Sequence, residues 1–329
     1  MQCRPSSLTA LLTLALAGAA ALWWALTAGE LSISLKAALA ALSGTSGDVE
    51  VQIVRELRLP RAIAAFACGG LLATAGALMQ VLLRNPLADP YILGISGGAA
   101  VGALGAITLG AATFWIDASA FAGALAAMLV VFGLAHGDGS WTQTRLLLTG
   151  VIVAAGCGAA VSLMLALAPD TRVMSMLFWM MGDASAAARP WPALVVLALA
   201  LVAVMPFARD LNVLARGELS ARALGVRVGH LRVALYVLAS LLTATSVTLV
   251  GSVGFVGLVV PHLVRLVLGN DQRVLIPAAA LAGGTLLTLA DTAARTVIAP
   301  QQLPVGVLTA LIGVPVFLFL LSRGSRISR

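Results

Sequence analysis

Residues 58–98 read RLPRAIAAFACGGLLATAGALMQVLLRNPLADPYILGISGG. Arg58 and Arg61 bracket Pro60 at a helix start. An apolar run of about 20 residues follows, roughly one bilayer's worth of helix. It ends at Arg84, in a polar turn that carries Asn85, Pro86, Asp89 and Pro90. A second apolar run, dense in glycine, then begins. The chain therefore crosses a membrane, turns sharply on two prolines and re-enters.

The remaining sequence has the same character. Apolar residues make up 60% of the 329-residue chain, charged residues 10%, and the mean hydropathy is +1.04. A soluble domain carries about 25% charged residues, so this chain cannot cover a water-facing surface of its size. Its length suits one membrane-embedded bundle, residues 1–329, without a large soluble domain. The net charge of +7 does not point to nucleic acid. The arginines sit in loops between apolar runs, where they set orientation, and no basic run is interleaved with aromatics. Cys3, Cys68 and Cys157 are scattered and show neither a disulfide framework nor zinc spacing. The apolar stretch from Leu8 to Ala28 is too long for a typical signal core and reads as a retained first helix.

Apolar runs predict helices near 8–29, 59–83, 91–109, 113–135, 145–168, 191–208, 232–250, 255–268, 277–297 and 304–322. The expected fold is an all-α polytopic membrane protein of about ten transmembrane helices. The run 255–268 would be about 21 Å long and cannot cross the membrane alone. Broken backbone at that depth needs shielding by protein or access to water, so 250–262 is expected near a pathway or an interface. With a cytoplasmic N-terminus, twelve basic residues fall inside (Arg4, Arg84, Arg145, Arg209, Arg216, Arg222, Arg227, Arg232, Arg273, Arg323, Arg326, Arg329). Seven fall outside (Lys36, Arg55, Arg58, Arg61, Arg172, Arg189, Arg295), and Arg265 is ambiguous. The balance follows the positive-inside bias and leaves the outer set without a topological role. Small residues recur at four-residue spacing at Gly94, Gly98 and Gly102, and at Gly69, Ala73 and Ala77, which permits close helix packing in lipid. Residues 30–57 form an outer-surface segment. Leu31, Leu35, Leu39 and Leu42 predict a short amphipathic helix there, followed by a loop through Gly44, Gly47 and Asp48.

Several chemistries are missing. The chain's one lysine, Lys36, follows Leu35, so no G-x-x-x-x-G-K-[ST] phosphate loop exists. His136, His230 and His262 are too far apart for an H-E-x-x-H helix, and no G-x-S-x-G elbow occurs. No catalytic residue, metal ligand or cofactor site is expected. Asp291 is the clearest carboxylate deep in an apolar run. It lies four residues before Arg295, and a local ion pair is the expected role.

The stretch 208–230, ARDLNVLARGELSARALGVRVGH, is polar and falls inside. Gly217 and Gly225 divide it into short pieces. Leu214, Leu219 and Leu224 alternate with Arg216, Glu218 and Arg222, a pattern that fits either a solvated linker or two short helices that dock a partner.

The chain resembles the FecCD-type permeases of binding-protein-dependent ABC importers, which carry iron–siderophores, haem and vitamin B12. The matching segments are 58–98, 145–150 (RLLLTG), 178–182 (FWMMG), 211–225 (LNVLARGELSARALG), 254–265 (GFVGLVVPHLVR) and 289–315, with its LADTAAR and LPVGVLTALIGVP. The resemblance implies a type II ABC importer permease fold of ten helices that works as a homodimer on a separate cytoplasmic ATP-binding subunit. It also implies a periplasmic or extracellular substrate-binding protein, a metal-chelate cargo, and the bacterial inner (plasma) membrane. By the same resemblance the loop 208–231 is a cytoplasmic coupling loop, with Arg216, Gly217, Glu218, Leu219, Ser220, Ala221, Leu224 and Gly225 seated on the ATPase. Arg58, Arg61 and Arg295 match outward arginines that pair with acids of the binding protein. Gln143 and Thr144 fall where the family narrows its path on the cytoplasmic side, and the fifth and tenth helices line the path between subunits. Ala159, Ser162, Met164 and Ala166 would give that path a weakly polar lining. Many haem-type members carry an arginine five residues before the tryptophan of FWxxG. Here that position is Met174, with Arg172 nearest, and Gly182 is followed by Asp183 where many members have serine. Cobalamin or an iron–siderophore is thereby favoured over haem. The alternative is an ion-coupled secondary transporter of a small solute.

Overall fold

The computed structural model describes residues 7–29, 31, 33–43, 48–135, 142–187 and 189–327. Of the residues read above, Cys3, Arg4, Gly44, Gly47, His136 and Arg329 lie outside them.

The elements, in chain order, are α1 (Ser7–Thr27), α2 (Leu35–Ser43), α3 (Val49–Gln52), α4 (Leu59–Leu82), α5 (Ile95–Thr108), α6 (Thr113–Ala135), α7 (Gln143–Leu167), α8 (Asp170–Met181), α9 (Trp191–Val204), α10 (Ala208–Arg216), α11 (Glu218–Ala223), α12 (Val228–Val250), α13 (Val256–Leu268), α14 (Gln272–Thr296) and α15 (Val305–Ile327). A π-helical turn, Ile53–Arg58, joins α3 to α4 in one continuous rod. The described residues contain no strand. Among the described residues, seven helices are long and apolar enough to span a membrane, and α5, α13 and α15 supply three shorter apolar segments. The protein is thus a multi-pass, all-helical membrane protein.

The helix α4 is the axis of the bundle. From Ala62 to Leu82 nearly every residue is buried, with α14, α12, α13 and α9 around it. This close approach depends on glycine. A Cβ built on Gly69 would lie 2.1 Å from the Gly283 carbonyl oxygen of α14. One built on Gly98 of α5 would lie 2.4 Å from the Gly123 carbonyl oxygen of α6. In lipid, where apolar side chains gain little by mutual burial, such backbone-to-backbone packing supplies the cohesion.

Two irregular segments interrupt the bundle. Residues 83–94 lead into α5, and residues 251–255 lead into α13. The single apolar run expected over 91–109 is broken because Gly94 adopts φ 74° between the 3₁₀ turn Pro90–Leu93 and α5. The two breaks meet. The Val253 N–H donates to Tyr91 Oη at 3.0 Å, and the Ser96 and Ser252 hydroxyls lie 3.1 Å apart. The Val253 N–H thereby finds its acceptor within protein, as a membrane interior demands of backbone donors. The short helix α13 falls where the sequence predicts it.

Two elements differ from those expected. The helix α2 forms, but it packs through Ala37, Ala38 and Ala41, while Leu35, Leu39 and Leu42 are exposed. Its alanine face is narrow enough to lie against the end of α1 and α3, and the leucine face is left outward. Residues 170–181, which lie between the predicted helices 145–168 and 191–208, form the amphipathic helix α8. Asp170 and Arg172 interrupt its apolar character, so it does not register as a span.

Candidate functional site

At the end of the bundle where α1 stops and α4 begins, arginines meet helix-terminal carbonyls. The last carbonyls of α1 have no partner in their own helix. Arg58 takes up two of them, donating through Nη1 to the Leu26 and Thr27 oxygens at 3.0 Å each, and through Nη2 to Leu31 O at 2.7 Å. Arg295, one helix away, donates to Ala25 O. Arg61 grips Asp291 with Nε 2.9 Å from Oδ2, donates to Gln302 Oε1 at 2.7 Å, and lies 3.9 Å from Asp183. Arg58 is 7% exposed.

Of these three arginines, Arg58 is buried and Arg61 and Arg295 are half-buried. Arg58 is turned inward to cap α1, because a buried guanidinium must satisfy its donors and these carbonyls need them. The expected Asp291–Arg295 pair is replaced. Asp291 closes on Arg61 of α4, whose planar fork reaches the carboxylate across the helix interface. Lys36, Arg55 and Arg189 are the exposed cations of this end.

At the opposite end lies the hairpin α10–α11. Gly217, at φ 142°, makes the corner between the two helices, a conformation that L residues other than glycine rarely adopt. Ala221 is fully buried beneath α11, while Leu219 and Leu224 are 85% and 71% exposed. Glu218 fixes the orientation of α11. Its carboxylate meets Arg222 at 2.6 Å and the buried Arg232 of α12 at 2.6 Å. Partial burial pushes the Glu218 carboxyl up, but the Arg232 and Arg222 guanidinium groups outweigh this and hold it below the ordinary value. The part played by Arg232 lies outside the sequence reading, because its partner is fourteen residues away across a turn. Near this end, Gln143 donates to Leu82 O at 3.0 Å and accepts from Arg84 at 3.1 Å. The adjacent Thr144 is exposed.

The flank between the two ends is formed by α7, α8 and α15. Only Leu146, Gly150 and Val161 of α7 are buried. Its exposed surface includes the small residues Gly158, Ala159, Ser162 and Ala166, and Met164 is half-buried. A groove of about 570 Å³ runs between α8 and α15, lined by Met180, Met181, Ser252, Gly306, Ala310 and Val314. Within the segment 250–262, Ser252 reaches this groove. A larger cavity of about 870 Å³ lies away from it, behind α8, with Asp117, Arg172 and Trp179 in its wall. Arg172 donates to the Ile107 and Thr108 carbonyls at the end of α5, and Met174 is exposed.

The arrangement offers a core with one cationic end, one hairpin end with outward leucines, and a grooved flank. Residues 14–323 match the model of the FecCD transport family. The chain belongs to the FecCD transport family. A cobalamin import system permease of Halobacterium salinarum is 43% identical over 274 residues, covering 82% of this chain and 73% of the relative. A hemin transport system permease of Yersinia pestis is 40% identical, with 90% of each chain covered. A vitamin B12 import system permease of Escherichia coli is 39% identical, covering 83% of this chain and 84% of the relative. A solved structure described as an inward-facing conformation of a metal-chelate type ABC transporter superposes with TM-score 0.85 at 30% identity, covering 95% of this chain and 98% of that one. This FecCD member has the type II importer permease fold and is a permease of the metal-chelate, vitamin B12 or haem type of ABC importer. Such permeases work with an ATPase and a binding protein.

Proposed function

We propose that this permease is one half of a homodimer that passes cobalamin or an iron–siderophore across the bacterial inner membrane, driven by ATP hydrolysis in a separate cytoplasmic subunit. The observation that carries this reading is the α10–α11 hairpin. Leu219 and Leu224 project from a short helix whose neighbours Arg216, Ser220 and Arg222 are exposed and polar, so the leucines stand in water rather than lipid. Exposed leucines on a helix held by a glycine corner and a partly buried ion pair suit insertion into a partner's cleft. Arg216, Gly217, Glu218, Leu219, Ser220, Ala221, Leu224 and Gly225 form this coupling element. Glu218 and Ala221 transmit force inward, and the leucines make contact.

The path runs at the seam where α7 and α15 face their copies. A chelate of this class is too bulky for the interior of one tightly packed bundle. Small, weakly polar residues on α7 would line the path without trapping cargo. Gln143 and Thr144 narrow its cytoplasmic mouth, with Gln143 pinned to the end of α4. At the other end, an acidic binding protein docks over Arg61 and Arg295. Arg58 shapes the floor of that surface by holding α1 in place. Haem is the less favoured cargo. Met174 occupies the position where many haem-type members carry arginine, and the nearby Arg172 is committed to the end of α5.

The test is reconstitution with the cognate ATPase and binding protein. Uptake should require both, and Leu219→Ser together with Leu224→Ser should abolish ATPase association. Uptake by the permease alone, under a proton or sodium gradient, would instead establish the ion-coupled carrier.

A further inference from the structure

A cavity of about 670 Å³ opens between the ends of α4, α10, α13 and α14, beside the hairpin. Three guanidinium groups line it, from Arg84, Arg216 and Arg265, against the single carboxylate of Asp271. Asp271 is already engaged by Asn212 at 2.8 Å and by the Arg273 N–H at 3.1 Å. Arg84 donates to Gln143, whereas the described residues supply no acceptor to Arg216 or Arg265. Two glutamines complete the wall. Gln80 is 3% exposed and Gln272 is 2% exposed, and each carries a buried Oε1 without a donor. Gln80 holds its place by donating through Nε2 to Leu258 O at 3.2 Å.

A cavity with unspent cationic donors and two orphaned acceptors asks for a ligand of mixed character. An unsatisfied buried carbonyl carries a desolvation cost that a donor relieves. A bare carboxylate would satisfy the arginines and leave the glutamines orphaned. A phosphate ester that also carries hydroxyl groups meets both needs. Its oxygens accept from the arginine forks, and its hydroxyls donate to Gln80 and Gln272. Basic recesses between helices at the cytoplasmic face suit anionic lipid headgroups for the same reason. We infer that this cavity binds a hydroxyl-bearing phosphate ester of the glycerophosphate kind, either as a lipid headgroup or as a free metabolite. Bound there, the ligand joins the Arg84 end of α4 to the Arg216 end of the coupling hairpin.

The test uses the full-length protein in detergent, with native mass spectrometry of equal mixtures of phosphatidylglycerol and phosphatidylcholine, and separately of glycerol 3-phosphate and glycerol. Phosphatidylglycerol over zwitterionic, hydroxyl-free phosphatidylcholine, or glycerol 3-phosphate over glycerol, should be retained roughly tenfold or more. Arg265→Gln should erase that preference and Arg265→Lys should keep most of it. Gln272→Glu, which adds a charge without changing size, should erase it also and serves if Arg265→Gln fails to fold. Displacement of the lipid by glycerol 3-phosphate marks the headgroup as sufficient, and its failure to displace marks the lipid as the source. Equal retention within both pairs, or retention unchanged in both Arg265→Gln and Gln272→Glu, would overturn the assignment.

Discussion

At the level of single residues, the end where α1 stops and α4 begins shows how arginine can be spent on architecture. Arg61 and Asp291 form an ion pair in which the side chains are 11% and 3% exposed. Removing one partner strands the other. Arg61→Gln should therefore cost about 3–5 kcal/mol, whereas Arg61→Met combined with Asp291→Leu should recover most of it. Thermal unfolding of the four proteins in one detergent measures the cycle. Arg58→Gln leaves three carbonyls short of a donor and should lower stability by about 2–3 kcal/mol, again by thermal unfolding. The matching surface variant Arg55→Gln should change little. Glu218 obeys a different rule. Its carboxyl titrates below the ordinary value of about 4.3, so its clamp on Arg232 is complete above that value and is lost as pH falls through the lowered one. Hydrogen exchange in α11 should be flat across neutral and mildly acidic pH after correction for intrinsic rates, and protection should collapse only below the ordinary carboxylate range. Collapse near neutrality would refute the clamp.

At the level of elements, glycine positions carry the architecture. Gly217→Ala forces a residue with a Cβ into φ 142° and should cost about 1 kcal/mol or more in hairpin order. The expected readout is weaker ATPase association with little loss of overall stability. Gly69→Val drives side-chain atoms into the Gly283 backbone and should reduce folded yield sharply, because α4 is buried along almost its whole length and has nowhere to move. Sequence periodicity exposes much at this scale. The long apolar runs, the short α13, the glycine stripe of α5 and the two-part hairpin all follow from hydropathy, length and breaker residues. What escapes it has physical causes. The helix α8 is polar in its first turn and too short to announce a span. The leucine face of α2 points outward because alanines fit the narrow contact better. The partners of Arg58, Arg61 and Asp291 lie up to 241 residues away, and no local pattern encodes such pairings.

At the level of the whole molecule, the bundle has a rigid core and two specialised ends. The irregular segments 83–94 and 251–255 cross inside it and begin two half-length helices, which places breakable backbone beside the groove between α8 and α15. The small residues of α7 face away from the core, so a bulky side chain there should obstruct cargo without harming folding. Ala159→Trp should lower uptake while leaving ATP hydrolysis by the assembled transporter intact, as seen by parallel uptake and phosphate-release assays. The measurement that bears most directly on the account is uptake into proteoliposomes containing the permease, its ATPase and its binding protein, with cobalamin and an iron–siderophore offered in turn. One of the two chelates should accumulate only with ATP and all three components present, and Gly217→Ala should uncouple hydrolysis from accumulation. Accumulation by the permease alone, without nucleotide, would contradict the account.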